Sequence, residues 1–133
     1  MANLSNSELT YEPELTGLLI VDPYNDFLSE GGKLYELSRT TLEANNVVEH
    51  MRQILAAARA ADVQVFIAPH HRWREGDLHS HWKTTPPIGA AAAKGRSFAD
   101  GTWGGSFHPD FEPRPGEVCL LYTSPSPRDR QKS

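Results

Sequence analysis

The sequence has little of several features that mark other classes of protein. Its single cysteine excludes an internal disulfide framework. No apolar run approaches the roughly 20 residues that a membrane-spanning helix needs, and residues 1–14 contain no apolar signal region. The net charge of -4 gives no general attraction to nucleic acid or to an anionic membrane. The two glycine pairs, Gly31-Gly32 and Gly104-Gly105, do not match a phosphate-binding pattern. We therefore expect a cytoplasmic protein that binds neither nucleic acid nor membranes.

The stretch from Gly17 to Phe27 is the most informative part of the chain. A continuous apolar run ends there in Asp22, and Pro23 follows directly. Such a run is typical of a central strand, buried on both faces of a parallel sheet. Pro23 should end the strand, because proline cannot donate to a sheet ladder. Ligands bind at the carboxyl ends of strands in open α/β sheets, so Asp22 is either a proton-transfer group or a cap for the next turn.

The rest of the pattern predicts a parallel α/β unit. Thr40 and Glu43 offer a capping box for a helix that an apolar stripe extends to about Ala61. The other predicted segments are a flexible arm over 1–14, strands over 16–21, 63–68 and 117–121, and loops over 23–38 and 70–112. A structureless loop as long as the last one is unusual unless it carries function.

Two stretches of the chain carry a family resemblance. The first is Asp22-Pro23-Tyr24-Asn25-Asp26-Phe27, followed by Gly31-Gly32-Lys33-Leu34; the second comprises Gly101-Thr102-Trp103-Gly104, Phe107-His108-Pro109-Asp110-Phe111 and Pro115-Gly116-Glu117-Val118. Together they resemble the isochorismatase-like cysteine hydrolases, a superfamily that includes nicotinamidases and ureidoacrylate amidohydrolases. Tyr24 is a departure, since glutamine is the commonest residue of the family at that position.

The resemblance implies both a fold and an activity. The fold is a three-layer α/β/α, Rossmann-like architecture with a parallel sheet, of which residues 15–118 are the N-terminal half. The activity is hydrolysis of an amide or related C–N bond in a small-molecule substrate, and it requires no cofactor. The full-length parent protein is expected to be a homo-oligomer. In this family an aspartate takes the proton of a cysteine thiol, and a lysine favours the thiolate. Only the aspartate maps onto this chain, as Asp22, while Phe27 and Trp103 are the implied substrate-binding residues.

Residues 119–133 depart from the family pattern. The family lysine should follow Val118 closely, and the family cysteine should lie further on, but Cys119 stands in the wrong place. The segment resembles the translation of a sequencing adapter, and its alternative interpretation is a natural disordered tail. We therefore expect residues 119–133 to be an artefactual or disordered tail, of which residues 122–133 pack on nothing, and the chain to be an inactive fragment.

Other roles for the loop residues and for the whole chain stay open at this point. His70 and His71 follow the second strand, and His79 and His81 come soon after. They do not reproduce the Asp-x-His pattern of the nicotinamidase metal site, so we expect no metal, although one histidine could contact substrate. Loop tryptophans can wall a pocket, pack the loop or form an oligomer surface. The alternative functions are an isochorismatase-type vinyl-ether hydrolase and a non-catalytic binding or assembly module.

Overall fold

The computed structural model describes residues 9–76 and 83–120. Its centre is a parallel sheet of three strands, β1 (Gly17–Val21), β2 (Gln64–Ala68) and β3 (Val118–Cys119), in the order β1-β2-β3. Gly17 pairs with Gln64 and Val21 with Ala68, so β1 and β2 end at the same edge. This arrangement confirms the predicted parallel α/β fold and brings the residues after the two strands together.

Burial of β1 differs from the prediction. Ile20 is 6% exposed and belongs to the core, whereas Leu19 and Val21 are 54% and 58% exposed. The expectation of a strand buried on both faces was therefore wrong for the described residues. The physical reason is that β1 pairs with β2 on one side, and only one of its faces packs on the core cluster around Leu55 and Phe111.

The predicted single helix between the strands is two helices in the structure. α2 covers Tyr35–Ala44 and α3 covers Val47–Ala60, so Thr40 lies inside α2 and the predicted capping box does not begin a helix. The break falls at Asn46, whose φ of 48° is left-handed, a conformation that asparagine adopts more readily than most residues. The apolar stripe was correctly placed on α3, where Leu55 is buried and Met51 packs against the core.

The long segment after β2 is more ordered than the sequence indicated. It contains the helix α4 (Pro87–Lys94), and a short α1 (Asn25–Leu28) likewise lies in the predicted loop after β1. A parallel bridge joins Trp73 to Ala99, and an antiparallel bridge joins Tyr24 to Phe107. These contacts fold the segment back onto the carboxyl edge of the sheet.

The described chain ends in the third strand that the sequence predicted over 117–121. Cys119, the first residue of the predicted tail, pairs with Ile67 and is 4% exposed. It is therefore part of the core, because β3 extends the sheet on the far side of β2. Residues 1–8, most of the predicted arm, and residues 121–133 lie outside the described residues. Among the helices of 9–76 and 83–120, none has the length and apolar character needed to cross a membrane.

Candidate active site

The site is built where β1 and β2 end. Asp22 follows β1 directly, and its backbone N–H donates to the carbonyl of Ala68 at 2.9 Å. The φ of Asp22 is 54°, in the left-handed region, where most residues other than glycine are disfavoured. Such strained positions cluster at functional sites when the surrounding contacts hold them in place. Asp22 thus lies at the ligand edge of the sheet, as predicted, but it follows an outer strand of the described three-stranded sheet and not the predicted central one.

The environment of Asp22 favours uptake of a proton. Its side chain is partly buried, and desolvation raises the pKa of the carboxyl above its ordinary value, while the nearby His70 acts in the opposite direction. Removal from water disfavours the charged form of a carboxyl group and makes the carboxylate a stronger base. A raised pKa is a property that proton transfer uses and that a surface cap does not need, and the role of Asp22 stays a prediction.

A cavity of about 200 Å³ lies beside these strand ends. Its walls come from three parts of the chain: α1 with the turn after it, the residues after β2, and α4 with the segment that follows it. The lining residues are Phe27, Leu34, His70, His71, Trp73, Ile88, Gly89, Ala92, Ala93, Ser97 and Phe98. Phe27 is thus a wall residue, as its predicted role requires. Asp22 lies outside the lining set and interacts electrostatically with His70, which lies within it.

Trp103, the other predicted substrate-binding residue, is placed differently. Its side chain is 54% exposed and does not line this cavity. Its backbone carbonyl instead accepts a hydrogen bond from the Nδ2 of Asn25 at 2.9 Å. The structure therefore gives Trp103 a part in anchoring the loop through its main chain, and its contact with substrate stays a prediction.

Aromatic rings form the inner wall of the cavity. Phe27 and Phe98 stack with ring centroids 4.5 Å apart, and the ring of His70 lies 4.6 Å from that of Phe98. Phe98 is 2% exposed and has a φ of 56°. A bulky residue in the left-handed region is an outlier that persists only when its surroundings over-determine it. Something must hold Phe98 in place.

Asp26 holds Phe98 in place, a structural role that the sequence did not predict. Asp26 is 2% exposed. Its Oδ2 accepts a hydrogen bond from the backbone N–H of Phe98 at 2.8 Å, and its Oδ1 accepts one from the N–H of Lys33 at 3.0 Å. A Cβ on Gly104 would overlap the Asp26 carboxylate, so this glycine serves close packing. The signal in the sequence that could have indicated this role is the second aspartate of the stretch from Asp22 to Phe27.

Tyr24 and Asn25 tie the same strand end to the long segment. The hydroxyl of Tyr24 donates to the carbonyl of His70 at 2.9 Å, and its ring is fully buried against Phe98 and Phe107. Asn25 donates its backbone N–H to Ser106 at 3.0 Å. The residue that departs from the family pattern therefore links the ends of β1 and β2.

The histidines do not assemble a metal centre in the described part of the chain. His70 and His71 are neighbours, with the Nδ1 of His70 2.8 Å from the carbonyl of His71. Within residues 9–76 and 83–120, no three His, Cys, Asp or Glu side chains are placed to hold a metal ion. His79 and His81 lie outside the described residues. His70 and His71 line the cavity and are placed to contact a ligand there.

Comparison with known families agrees with this geometry. The profile described as Isochorismatase domain matches residues 16–130. This chain belongs to the isochorismatase family. The match starts next to the predicted domain start at residue 15 and continues past the boundary predicted at 118. The origin of residues 119–133 stays a prediction.

Individual isochorismatase-family relatives are distant. The chain is 26% identical over 125 residues to the ureidoacrylate amidohydrolase RutB of Rhizobium rhizogenes, covering 86% of this chain and 50% of that protein. It is likewise 26% identical over 129 residues to RutB of Agrobacterium fabrum, covering 86% and 54%. The chain therefore spans about half the length of the curated relatives it matches.

The described lysines and the cysteine are the candidate partners of Asp22 in a family-type site. Of the three lysines in the described ranges, none follows a strand. Lys33 donates its Nζ to the carbonyls of Gly95 and Arg96 at 2.8 and 3.1 Å, and Lys94 ends α4. Cys119 is buried within β3. The role of Asp22 in a family-type triad stays a prediction.

Proposed function

We propose that this chain supplies the general base of a hydrolase that cleaves an amide or related C–N bond in a small molecule. The observation that carries the proposal is Asp22, a partly buried carboxyl group at the ligand edge of the sheet, with its pKa raised by burial, beside a cavity of about 200 Å³. Membership of the isochorismatase family and the amidohydrolase names of two relatives support the same reaction class.

The chemistry follows from the properties of the Asp22 carboxylate. A desolvated carboxylate can take the proton of a cysteine thiol, and the resulting thiolate attacks the carbonyl carbon of the substrate. The carboxyl group returns the proton to the leaving nitrogen as the C–N bond breaks, and water then hydrolyses the thioester to release the acid and the thiol. A neighbouring lysine would favour the thiolate, and backbone N–H groups would stabilise the oxyanion. The cavity would hold the substrate group next to the scissile bond. This mechanism uses no cofactor.

We further propose that the chain has no hydrolytic activity by itself. In residues 9–76 and 83–120 no lysine follows a strand, and Cys119, the last residue of β3, is 4% exposed and does not line the cavity. A carboxylate alone cannot act as nucleophile, oxyanion stabiliser and proton acceptor for amide cleavage. We infer that the other groups would come from a second half of a family domain; the relative from Rhizobium rhizogenes is about twice as long as the matched region.

A fusion protein tests the proposal. Residues 1–120, which keep β3 intact, are joined to the C-terminal half of the Rhizobium rhizogenes relative and assayed on nicotinamide, N-carbamoyl compounds and ureidoacrylate. The fusion should hydrolyse at least one of them, and the unfused chain none. Asp22→Asn in the fusion should lower kcat by about 10²–10⁴-fold, the usual contribution of a general base. Thermal melting confirms that the variant remains folded.

The outcomes separate this function from its alternatives. A fusion carrying Asp22→Asn that turns over as fast as its parent would make Asp22 a structural cap. Cleavage of a vinyl ether without amide hydrolysis would favour the isochorismatase-type reaction. A folded fusion that binds these compounds without turnover would favour a binding module. Hydrolysis by the unfused chain would refute the proposed inactivity of the fragment.

A further inference from the structure

The outer edge of β1 carries an apolar surface far from the ring-lined cavity. In the described ranges β1 pairs with β2 alone, so the backbone groups along its other edge have no strand beside them. Leu19 and Val21 of β1 and Ile54 of α3 are each more than half exposed. Together with three neighbours they line a groove of about 320 Å³, which we call the β1 edge patch: Leu18, Leu19, Ile20, Val21, Met51 and Ile54.

The β1 edge patch lacks the features that usually keep an edge strand from pairing with another chain. Natural edge strands are commonly charged, interrupted by proline, bulged or covered. Residues 15–21 contain neither a charged residue nor a proline, and the strand pairs with β2 at five consecutive positions without a bulge. Such an edge is suited to receive a further strand, because the main chain supplies hydrogen bonds and the apolar side chains supply buried area.

The terminal segments of this chain are poorly suited to cover the β1 edge patch. The apolar side chains of residues 1–8 are those of Met1, Ala2 and Leu4, and residues 123–133 are all polar, charged or proline. Residues 121–133 also follow β3, which lies on the opposite side of β2 from the patch. A second copy of the chain, by contrast, brings an identical apolar patch and an identical open strand edge. It is therefore the occupant that matches the surface best.

We propose that two copies of this chain associate through β1, paired antiparallel about a twofold axis at Leu19. A twofold interface uses the same patch on both copies, and it is the commonest symmetry of homo-oligomers. Leu19 is the middle residue of the five in β1, so pairing along the whole strand places it opposite its own counterpart. The sheets of the two copies then continue into each other.

This arrangement covers both faces of β1 without opposing like charges. A twofold axis perpendicular to the sheet keeps the two α3 helices on the same face, where Met51 and Ile54 of the two copies approach each other. On the other face, Val21 of each copy comes opposite Gly17, which has no side chain to obstruct it. Asp22, the acid that follows the strand, comes opposite Thr16 and not opposite a second acid. The inference goes beyond the proposed function, because association requires no catalytic group.

Sedimentation equilibrium and NMR of the full chain test the dimer. Runs at concentrations up to about 1 mM detect association down to a Kd of that size, and we expect a monomer–dimer equilibrium. In a mixture of isotope-labelled and unlabelled chain, intermolecular NOEs should join the Leu19 methyl groups of the two copies. A chain that stays monomeric, or intermolecular NOEs that arise only from another surface, would overturn the proposal without recourse to any variant.

A pair of lysine variants assigns the association to the β1 edge patch. Leu19→Lys places two like charges opposite each other on the axis and removes apolar contact from both copies, so it should raise the dimer Kd by about tenfold or more. Leu37 is exposed on α2, outside the patch, so Leu37→Lys should leave the Kd unchanged. Thermal melting confirms that both variants are folded. Equal weakening by the two substitutions would show a general charge effect and would refute the inference.

The fusion protein distinguishes a second copy from the second half of a family domain as the occupant. If Leu19→Lys destabilises the fusion but leaves association of the unfused chain unchanged, the β1 edge patch binds that second half, and the inference is refuted. An inactive fusion together with the expected dimer of the unfused chain would refute the proposed hydrolase and retain the dimer. An active fusion together with a monomeric unfused chain would do the reverse.

Discussion

The two acids of the Asp22–Asp26 motif should respond in opposite ways to the same substitution. Asp26 is 2% exposed and accepts hydrogen bonds from the backbone N–H groups of Phe98 and Lys33. In Asp26→Asn one of these two backbone N–H groups faces the side-chain NH₂ group, which cannot accept its hydrogen bond. The other N–H still has an oxygen acceptor, but that oxygen no longer carries a negative charge. We therefore expect the variant to be destabilised and the Phe98 wall of the cavity to shift.

The magnitude follows from the bonds that are lost. A hydrogen bond to a charged group contributes roughly 1.5–3 kcal/mol, and an unsatisfied buried donor costs about 1–3 kcal/mol. Losing one bond and weakening the other should lower the free energy of unfolding by about 2–4 kcal/mol. Net stabilities of domains are about 5–15 kcal/mol, so this change should lower Tm by roughly 10 °C or more.

Asp22→Asn is the matched control. Burial raises the pKa of Asp22 above its ordinary value of 3.8, so the folded state binds this proton more tightly than the unfolded state. Its contribution to stability is present below pH 3.8 and is lost as the pH rises through the folded pKa. At neutral pH the charge therefore opposes folding, and Asp22→Asn should leave the stability unchanged or slightly raised.

Urea unfolding of the full chain and both variants at pH 7 measures the contrast. An NMR measurement of the Phe98 backbone conformation shows whether the residue leaves the left-handed region in Asp26→Asn. A loss of less than about 1 kcal/mol in Asp26→Asn, below the weakest bond estimate, would refute the reasoning about this carboxylate. A larger loss of unfolding free energy in Asp22→Asn than in Asp26→Asn would show that Asp22, and not Asp26, is the structural carboxylate.

Two further stability predictions concern the core and its edge. Leu55 is 2% exposed, so Leu55→Ala should lower the free energy of unfolding in urea by about 2–5 kcal/mol. Ile54 is 55% exposed, so Ile54→Ala should lower it by only about 0.5 kcal/mol. Equal losses in the two variants would contradict the assignment of Leu55 to the core. Arg59 hydrogen-bonds Glu117 and lowers its pKa below the ordinary 4.5, so this contribution is present above pH 4.5 and is lost as the pH falls through the folded pKa. Arg59→Ala should cost about 1–3 kcal/mol at pH 7 and less in acid, while a deficit independent of pH would argue against the ion pair.

The main lines of the fold could be read from the sequence because they depend on local signals. The apolar run of β1 ends where Pro23 stops the strand, and the apolar repeat of α3 faces the core. The resemblance carried by residues 22–27 identified the family before any contact was known. Asp22 could be singled out for the same reason, because its position depends on the strand immediately before it.

The errors arose where local signals competed. The capping-box pattern at Thr40 predicted a helix start, but α2 had already begun at Tyr35, and the break came at the left-handed Asn46. The apolar character of β1 predicted burial of both faces, although Leu19 and Val21 are exposed in the described structure. The composition of a segment shows which side chains could be buried. Which of them are buried depends on the segments that pack against it.

The sequence by itself determined that Asp22 ends a strand at the ligand edge of a parallel sheet. Only the tertiary structure decided that Asp26 supports the cavity wall, because its partner Phe98 is 72 residues away along the chain. It also decided that Phe27 lines the cavity and Trp103 does not. Strand ends and motifs are set by neighbouring residues, whereas the shape and charge of a cavity depend on contacts between distant segments, which no local pattern records.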